Sequence, residues 1–554
     1  MKRKIAVIVL IAISYGCEGR KDSSPLTLGQ GAGLAYTEGM TISQLCELVG
    51  YDSVLLQGHS LVGGLPGTGS GDCPPFVREY LQQHLQKIKG KGYLSHEYEI
   101  MPVEQIINSN TTSVVRVKGV VPAGAPKGAR FDVEVFMPWS TQTLSLQGGV
   151  LFPTELQQVV PGLTGRPLTG RVSALAAGEL FINPFSLSSE KDQRVDPRRA
   201  VVLGGGMTRI DRNIQLALKE PDSRMAQNIQ RRINSRFQTK DGEKIADAAN
   251  RRVIEIKIPE NYRDRYPEFV QIMMGLYLQD SGAFIELKIK ELNEKASRDD
   301  ADFEGIALEW EGIGRSCLKY LANYYDQIKG KRAFYAARTA LDLGERRAID
   351  ALILMANDDQ HPCRLKAVRT LGRAANDVKA GACLTALLDN KNSLVRLTAY
   401  ESLQRVKCHR IESNNIAGKF KLDIIDSRGE GMICIWTIKE PRVVIFGRNL
   451  ICRRNVFFET EEKSVTINCG PQDDRLTISR QKAGGSDFIQ VTSLRMLPEF
   501  IINMALPTEK VKKDMPTGAG LTFSQIVGIL YNLCQQRVIP ARFIMLRTLE
   551  ELNL

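Results

Sequence analysis

The chain has 554 residues, of which 43% are hydrophobic and 25% charged, the balance of a folded globular protein rather than of a disordered one. Its length predicts several domains, since one domain usually takes about 100–200 residues. The net charge of +12 is spread along the chain, without zinc-finger spacing or a basic run interleaved with aromatic residues, so we expect no nucleic-acid partner.

The first residues have the three parts of a secretory signal. Basic residues at positions 2–4 precede a short apolar run over 5–13, and small residues lead to Cys17. The run is too short to cross a bilayer of about 30 Å. We therefore predict a signal peptide over 1–17 and, because the next stretch is polar and rich in Ser and Gly, a flexible tether over 18–35.

Two interpretations of Cys17 remain open. A cysteine directly after Gly16 is typical of a bacterial lipoprotein, in which the lipidated cysteine anchors the new N-terminus to a membrane. Ser14 and Gly16 also satisfy the small-x-small rule of ordinary cleavage. Lipidation at Cys17 is thus an expectation with a soluble product as its alternative.

The region 36–195 is predicted to be a mixed α+β domain. Alternating strands over 114–121 and 131–136 are separated by a Pro- and Gly-rich break, and residues 75–88 form the clearest helix.

Export would permit disulfides between the ten cysteines that follow Cys17. Cys46 and Cys73 are one candidate pair because they lie within one predicted domain. Two among Cys434, Cys452 and Cys469 are another. Small buried thiols without a partner are the alternative.

The glycine-rich segment 58–72 could be mistaken for a phosphate-binding loop. Such a loop needs Lys and Ser or Thr after its last glycine, whereas Asp72, Cys73 and two prolines follow Gly71 here. We expect no nucleotide cofactor.

A second, smaller α+β domain is predicted over 196–283. Asp222 can cap a helix that runs to about residue 237. A strand over 253–258 and a helix over 267–277 follow.

The region 284–410 is almost wholly helical and repeats itself. Similar segments at 336–340, 367–371 and 399–403 recur at intervals of 31 and 32 residues, with further helices between them. A helix pair of this length cannot bury its apolar face alone, so the pairs must stack. The pattern resembles HEAT-type repeats.

Strands return over 411–510, for example at 421–425, 432–438, 442–446 and 464–468. The last region, 511–554, is predicted to be a helix pair, with helices over 522–535 and 541–551 separated by Pro540.

The sequence offers no catalytic constellation and no metal site. None of the five histidines has the spacing of a metal-binding motif, and no Ser-His-Asp or Cys-His arrangement has local support. We expect neither an enzyme nor a cofactor, and an envelope hydrolase is the weakest alternative.

The glycine-rich segment resembles the signature Gly-Tyr-Gly-Leu-Val-x-Gly-Leu-x-Gly-Thr-Gly-Asp of the flagellar P-ring family. His59 and Ser60 stand where the family has Tyr and Gly. The matching residues are Gly58, Leu61, Val62, Gly64, Leu65, Gly67, Thr68 and Gly69.

Further segments resemble the family in the same order. Residues 145–151 are similar to its Ser-Leu-x-Gly-Gly-x-Leu, residues 174–180 to its Ala-x-Ala-x-Gly-x-Leu, and residues 218–234 to its Asn-Pro-Asp helix. Towards the C-terminus, the segments 443–447, 465–467 and 521–549 resemble its closing strands and helices. The resemblance covers about residues 45–279 and 422–554, and the helical repeats lie between as an insertion.

The resemblance implies an α+β multidomain fold, with two mixed α/β P-ring-type domains, an inserted α-helical HEAT-like repeat, a β-rich segment and a C-terminal helix pair. It also implies a structural subunit of the periplasmic ring that surrounds the flagellar rod and supports rotation. Expected partners are further copies of the chain, the rod, the outer-membrane ring and peptidoglycan. The alternative is an envelope lipoprotein scaffold of another secretion or pilus-type complex that reuses these domains.

Overall fold

The computed structural model describes residues 39–546 except for 138–140, 162–166, 184–195, 239–241, 279–280, 299, 438–439, 461–462, 482–487 and 509–516. The predicted signal peptide, Cys17 and the predicted tether lie outside the described residues. So do residues 547–554.

A closed six-stranded barrel forms the first unit, in the order β2-β3-β4-β7-β6-β5. Successive residues on β3 and β4 alternate between the interior and the surface of the barrel, as strand geometry requires, and the apolar ones fill the interior. The predicted helix 75–88 and the strands near 114–121 and 131–136 are confirmed. The elements up to the end of the barrel are α1 (Ile42–Leu45), β1 (Cys46–Val49), β2 (Val54–Gly63), α2 (Pro75–Ile88), α3 (His96–Ile100), α4 (Val103–Asn108), β3 (Ser113–Val121), β4 (Arg130–Phe136), β5 (Val150–Pro161), β6 (Pro167–Glu179) and β7 (Arg199–Thr208).

The second unit is a four-stranded antiparallel sheet in the order β1-β8-β10-β9, packed against two helices. Strand β1 precedes the barrel in sequence and pairs with β8, Cys46 opposite Leu218. The barrel is therefore inserted between neighbouring strands, and the unit boundary follows β7 rather than residue 195. Its further elements are β8 (Ile214–Leu218), α5 (Ser223–Arg236), β9 (Ala246–Ala248), β10 (Val253–Ile256), a 3₁₀ helix (Glu260–Arg265) and α6 (Tyr266–Met274).

Stacked helices make up the region from residue 282 to residue 403. Equivalent hydroxyl groups join successive layers: Thr339 donates to the carbonyl of Ala307 at 3.3 Å, and Ser402 to the carbonyl of Val368 at 3.3 Å. The elements are α7 (Gly282–Ala296), α8 (Phe303–Ile313), a 3₁₀ helix (Arg315–Cys317), α9 (Leu318–Tyr325), α10 (Gly330–Asp342), α11 (Arg347–Asn357), α12 (Arg364–Leu371), a 3₁₀ helix (Gly372–Ala374), α13 (Val378–Leu387) and α14 (Ser393–Leu403).

Two sheets and two helices form the C-terminal unit. A mixed sheet has the order β11-β12-β14-β13-β19, and an antiparallel sheet has the order β15-β16-β17-β18. The elements are β11 (Ile411–Ile416), β12 (Phe420–Ile425), β13 (Met432–Trp436), β14 (Arg442–Phe446), β15 (Val456–Glu459), β16 (Val465–Cys469), β17 (Arg475–Gln481), β18 (Phe488–Leu494), α15 (Leu497–Ala505), α16 (Phe523–Gln535) and β19 (Arg542–Leu546).

The five-stranded sheet is covered on both faces. Alternate residues such as Ile433 and Ile445 pack into the same core as α15 and α16, whereas Cys434, Trp436 and Phe446 pack into the core of the stacked helices. One face of this sheet therefore depends on the helical region that precedes it.

For the predicted C-terminal helix pair, the prediction of the second helix, over 541–551, is wrong. Thr522 caps α16 with its side chain as expected, but residues 542–546 form β19, which pairs in parallel with β13. Strand β13 is buried along its whole length, so its backbone needs a partner on this side, and that requirement overrides the local helical pattern.

The expected disulfide between Cys46 and Cys73 is not formed. Cys46 is buried in the core of the second unit, whereas Cys73 packs beside α2 on the barrel, so the two thiols belong to different cores. Cys452 and Cys469 are also free thiols among the described residues, so no two of Cys434, Cys452 and Cys469 form a disulfide.

Candidate functional site

The glycine-rich segment leaves the barrel wall and folds over one end of the barrel. Gly58, Leu61 and Val62 lie on β2, and the other signature residues follow it. Leu61 packs towards α2, whereas Val62 and Leu65 point into the barrel core. The segment thus holds two cores together.

Two of its glycines allow backbones to approach closely. A Cβ atom at Gly58 would stand 2.4 Å from the carbonyl oxygen of Glu155. At Gly69 the Cβ would lie 2.1 Å from the carbonyl oxygen of Thr112. No side chain fits at either position without moving the neighbouring backbone.

Two further glycines turn the chain. Gly64 and Gly67 both have φ of +78°, a conformation that L side chains rarely adopt. The Gly64 amide donates to the Tyr98 hydroxyl at 2.8 Å, which ties the turn to α3.

Side chains of the segment bind the segment that precedes β5. Thr68 donates through its hydroxyl to the carbonyl of Ser145 at 2.8 Å, and its own carbonyl accepts from the Leu144 amide at 2.9 Å. Bonds from the Ser70 hydroxyl and then from the Gln142 amide hold the pKa of Asp72 below its ordinary value.

The second family-like motif, residues 145–151, meets the first. A Cβ at Gly149 would lie 2.4 Å from Val62 Cγ1 and 2.9 Å from Leu65 Cδ2. The two motifs are therefore neighbouring parts of one packed feature, although more than seventy positions separate their starts in sequence.

Four amide groups of the loop are already occupied by backbone carbonyls. The N–H groups of Leu65, Gly67, Gly69 and Ser70 donate to the carbonyls of Thr111, Leu65, Asn110 and Thr112, respectively, at 2.8–3.0 Å. A phosphate-binding loop needs such groups free to face the ligand. The arrangement suits a structural seal of the barrel.

Two exposed apolar side chains lie next to this segment. Phe76, beside His59, is 73% exposed, and Leu144, whose amide donates to the Thr68 carbonyl, is 72% exposed. The His59 ring meets Phe76 edge to face at 6.3 Å between centroids. Burial, and then the nearby Arg116 guanidinium, lower the pKa of His59, so this ring stays neutral beside its apolar neighbour.

Sequence reasoning missed a buried ion cluster that joins the second unit to the stacked helices. The Asp342 carboxylate on α10 binds Arg265 at 3.1 Å and also contacts Arg373, and Glu268 pairs with both arginines. The Asp342 side chain is 3% exposed. These residues are too far apart in sequence for any local motif to reveal the cluster.

A second missed contact is close by. Glu311 on α8 is buried, accepts a hydrogen bond from the Tyr262 hydroxyl and lies 3.7 Å from Arg236. Burial raises the pKa of Glu311, and the charge of Asp342 raises it further. Together, the two contacts hold the helices firmly on the second unit.

A third missed contact joins the stacked helices to the C-terminal sheet. The Tyr400 hydroxyl on α14 donates to Asp423 on β12, and Arg442 on β14 binds the same carboxylate at 3.0 Å. The Tyr400 ring also packs edge to face on Trp436 and Phe446.

Within the part of the chain that the structure describes, no group of three or more His, Cys, Asp or Glu side chains could hold a metal ion. The same residues contain no helix that is both long and apolar enough to cross a bilayer.

Residues 41–283 match the family described as "Flagellar P-ring protein". This range contains the barrel and the second unit. The chain is similar to the flagellar P-ring protein of Campylobacter lari, with 30% identity over 256 residues, which are 45% of this chain and 65% of the relative. It is also similar to the flagellar P-ring protein of Aquifex aeolicus, with 29% identity over 239 residues, which are 41% of this chain and 59% of the relative. A third such protein, in Geobacter metallireducens, is 28% identical over 243 residues, 42% of this chain and 60% of the relative. The chain thus spans about three fifths of the length of these relatives.

Proposed function

We propose that the chain is a structural subunit of a periplasmic ring that surrounds the flagellar rod and supports its rotation, because residues 41–283 match the flagellar P-ring family. The family match over the barrel and the second unit is the observation that carries the proposal. Its role is mechanical rather than catalytic, and its partners are further copies of the chain, the rod and the outer-membrane ring.

The construction of the matched region supports this role. A bushing around a turning shaft has to keep its shape under load, which favours closed and tightly packed units. The barrel has no free edge, and the glycine-rich segment fastens its end. A ring further requires heterologous contacts that repeat from copy to copy until they close.

The stacked helices form, in this proposal, a HEAT-like block that offers a docking surface for the wall, the outer membrane or a neighbouring ring. Helices α10 and α14 are buried over most of their length. The second helices face outward: Leu354 on α11 is 53% exposed, and Val378 at the start of α13 is 86% exposed. Peptidoglycan is one surface that this face could contact.

The N-terminal segment is the basis for the proposed location of the chain in the periplasm. A signal peptide over 1–17 would deliver the chain to the periplasm, and lipid on Cys17 would hold it at a membrane through the tether 18–35. Cys17→Ser tests the anchor: the variant should move from the membrane fraction to the soluble fraction. An unchanged distribution would contradict lipidation.

Electron cryotomography of intact cells tests the ring assignment. Flagellar motors are averaged at the level of the wall in the parent strain, in a strain without the gene and in that strain complemented with the wild-type gene. We expect the periplasmic ring around the rod to disappear and to return on complementation. Unchanged motors would contradict the proposal and assign the chain to another envelope complex, as the scaffold alternative requires.

The docking role of the helices needs a gentler test than deletion, because removing residues 331–406 would uncover one face of the C-terminal sheet. Leu354→Asp combined with Val378→Asp keeps the block folded and changes only its outward face. We expect the ring to keep its normal width in the averaged motors but to lose the density that connects it to the neighbouring envelope structure. Leu287→Asp, at a 64% exposed position on α7, is the matched control, and an unchanged contact in the double variant would contradict the role.

A further inference from the structure

The four-stranded sheet β15-β16-β17-β18 has two edges that no other strand covers among the described residues. Strand β15 pairs only with β16, and β18 pairs only with β17. An open edge presents a row of unpaired N–H and C=O groups, which is a ready template for another strand.

The β18 edge lacks the features that usually protect such an edge. Its seven residues, Phe488–Leu494, include no charged residue, no proline and no glycine. Its register with β17 runs without a bulge from one end to the other. Natural proteins normally place Lys, Pro or a bulge on an edge strand that must stay single.

The two edges are complementary in direction. Four strands pair antiparallel in chain order, so the first and the last strand run in opposite directions. When a second copy is placed beside the first in the same orientation, its β15 therefore runs antiparallel to β18. An even number of strands is what lets the alternation continue from copy to copy.

The outer face of this sheet carries its exposed apolar side chains at the edges. Phe457 on β15 is 70% exposed, and Phe488 on β18 is 68% exposed. Leu494 also lies on this face of β18. The central rows between them are polar, for example Asn468 opposite Thr477.

The opposite face fixes the sheet on the body of the protein. Ile467, Leu476 and Ile478 are buried in the core that also contains α15 and α16. The edges are therefore presented on a rigid support, which lowers the entropic cost of pairing with another chain.

We propose that β18 of one copy pairs with β15 of the next copy, so that these sheets join into a continuous antiparallel sheet around the assembly. This inference rests on the proposed ring function and specifies its subunit contact. Pairing places Phe457 of one copy against the outer side chains of β18 on its neighbour, where aromatic cross-strand contacts add stability. Each copy then adds about 19 Å of arc, since strands lie about 4.8 Å apart.

Cross-linking of the full-length chain in the cells that produce it tests the pairing. Phe457→Cys is combined in turn with Gln490→Cys, Thr492→Cys or Leu494→Cys, and the thiols are oxidised by copper phenanthroline and dioxygen. Paired antiparallel strands bring such residues within disulfide reach. We expect one of the three combinations to give a ladder of covalent oligomers, at least tenfold more than either single-substitution variant or the wild type. Asn468→Cys with Thr477→Cys is the matched control, since these residues pair within one copy and should give no ladder.

A charge test complements the cross-links. Gln490→Lys with Thr492→Lys on the exposed face of β18 should reduce ring assembly at least tenfold, whereas Asn468→Lys on the interior strand β16 should not, with equal thermal stability in both variants. Rings without a ladder in any combination would overturn the pairing and leave the ring function standing. A wild-type chain that forms no ring would overturn both.

Discussion

Gly69 lies where two backbone segments approach so closely that only a hydrogen atom fits between them. Its amide donates to the carbonyl of Asn110 at 2.8 Å, and the carbonyl of Thr112 occupies the place of a Cβ. The glycine is therefore required by the packing of the barrel end rather than by a ligand. The rest of the signature acts in the same way, through close approach, turn geometry or burial.

The first prediction concerns this position. Gly69→Ala should destabilise the barrel end by at least about 2 kcal/mol, because the added methyl group overlaps backbone atoms that cannot move independently. Hydrogen exchange read by mass spectrometry should show faster exchange in β2 and β3. Gly282→Ala, at an open position at the start of α7, is the control and should leave exchange unchanged. Equal exchange in the two variants would contradict the packing role.

The second prediction concerns pH. His59 has a lowered pKa in the folded chain, so the folded chain binds this proton more weakly than the unfolded chain does. Its contribution to stability is complete above the unfolded pKa of about 6.5 and declines as the pH falls through that value towards the folded pKa. His59→Phe should therefore lose less thermal stability than the wild type between about pH 7.5 and about pH 5. Scanning calorimetry measures both proteins, and identical pH responses would argue against a neutral, half-buried His59 ring.

At the scale of elements, the stacked helices do not form a separate module. Helix α14 lies against the face of the sheet that carries Trp436 and Phe446, and α10 carries Asp342 into the second unit. The helical region was predicted from its repeated sequence, but its packing on both neighbours was not. The repeats indicate which helices stack with each other. A contact such as Tyr400 with Asp423 instead joins a helix of the repeats to a strand of the C-terminal sheet, and neither local pattern predicts it.

The same distinction explains which elements the sequence predicted. Helix α2 begins at a proline pair, and α5 begins at Asp222, whose carboxylate caps its first turn, so local chemistry sets their starts. Strand β14 was predicted over its full range from its β-branched run. Strand β19 was predicted as helix because its local pattern suits one, and only the open side of β13 decides otherwise.

The third prediction tests the joint between the helices and the second unit. Asp342→Ala should cost about 3 kcal/mol, because it leaves the partly buried Arg265 and Arg373 without their shared carboxylate. Chemical denaturation followed by hydrogen exchange at α6 and α10 measures the effect. Asp350→Ala breaks an exposed pair with Lys379 in the same block and should leave the stability unchanged. Equal losses in the two variants would show that the cluster does not hold the joint.

On the scale of the whole molecule, the barrel and the C-terminal unit are joined by a short segment after β6. Phe181 packs on Phe523 with ring centroids 5.6 Å apart, and the carbonyl of Ile182 accepts a hydrogen bond from Ser524 at 2.5 Å. Phe181 belongs to the core of the C-terminal unit although it leaves the barrel wall. Barrel closure and this joint could not be predicted, since neither leaves a local pattern in the sequence.

The fourth prediction follows from that joint. Phe181→Ala should destabilise the C-terminal unit by about 3 kcal/mol through the cavity it leaves, while the barrel keeps its stability. Hydrogen exchange should accelerate in β12 and α16 and stay constant in β2 and β3. Phe76→Ala, which removes an exposed ring from the barrel surface, is the control. Faster exchange confined to the barrel would contradict the assignment of Phe181 to the core of the C-terminal unit.

The parallel pairing of β13 with β19 sets a condition on the order in which the chain can fold. Met432 lies opposite Arg542, so the five-stranded sheet lacks one edge strand until residues 542–546 have been synthesised. A chain that emerges N-terminus first can close its barrel early, whereas β13 waits with one side uncovered. The C-terminal unit therefore cannot be completed before β19 has been made. A product truncated before β19 would carry a folded barrel and a sheet with an open edge that favours aggregation.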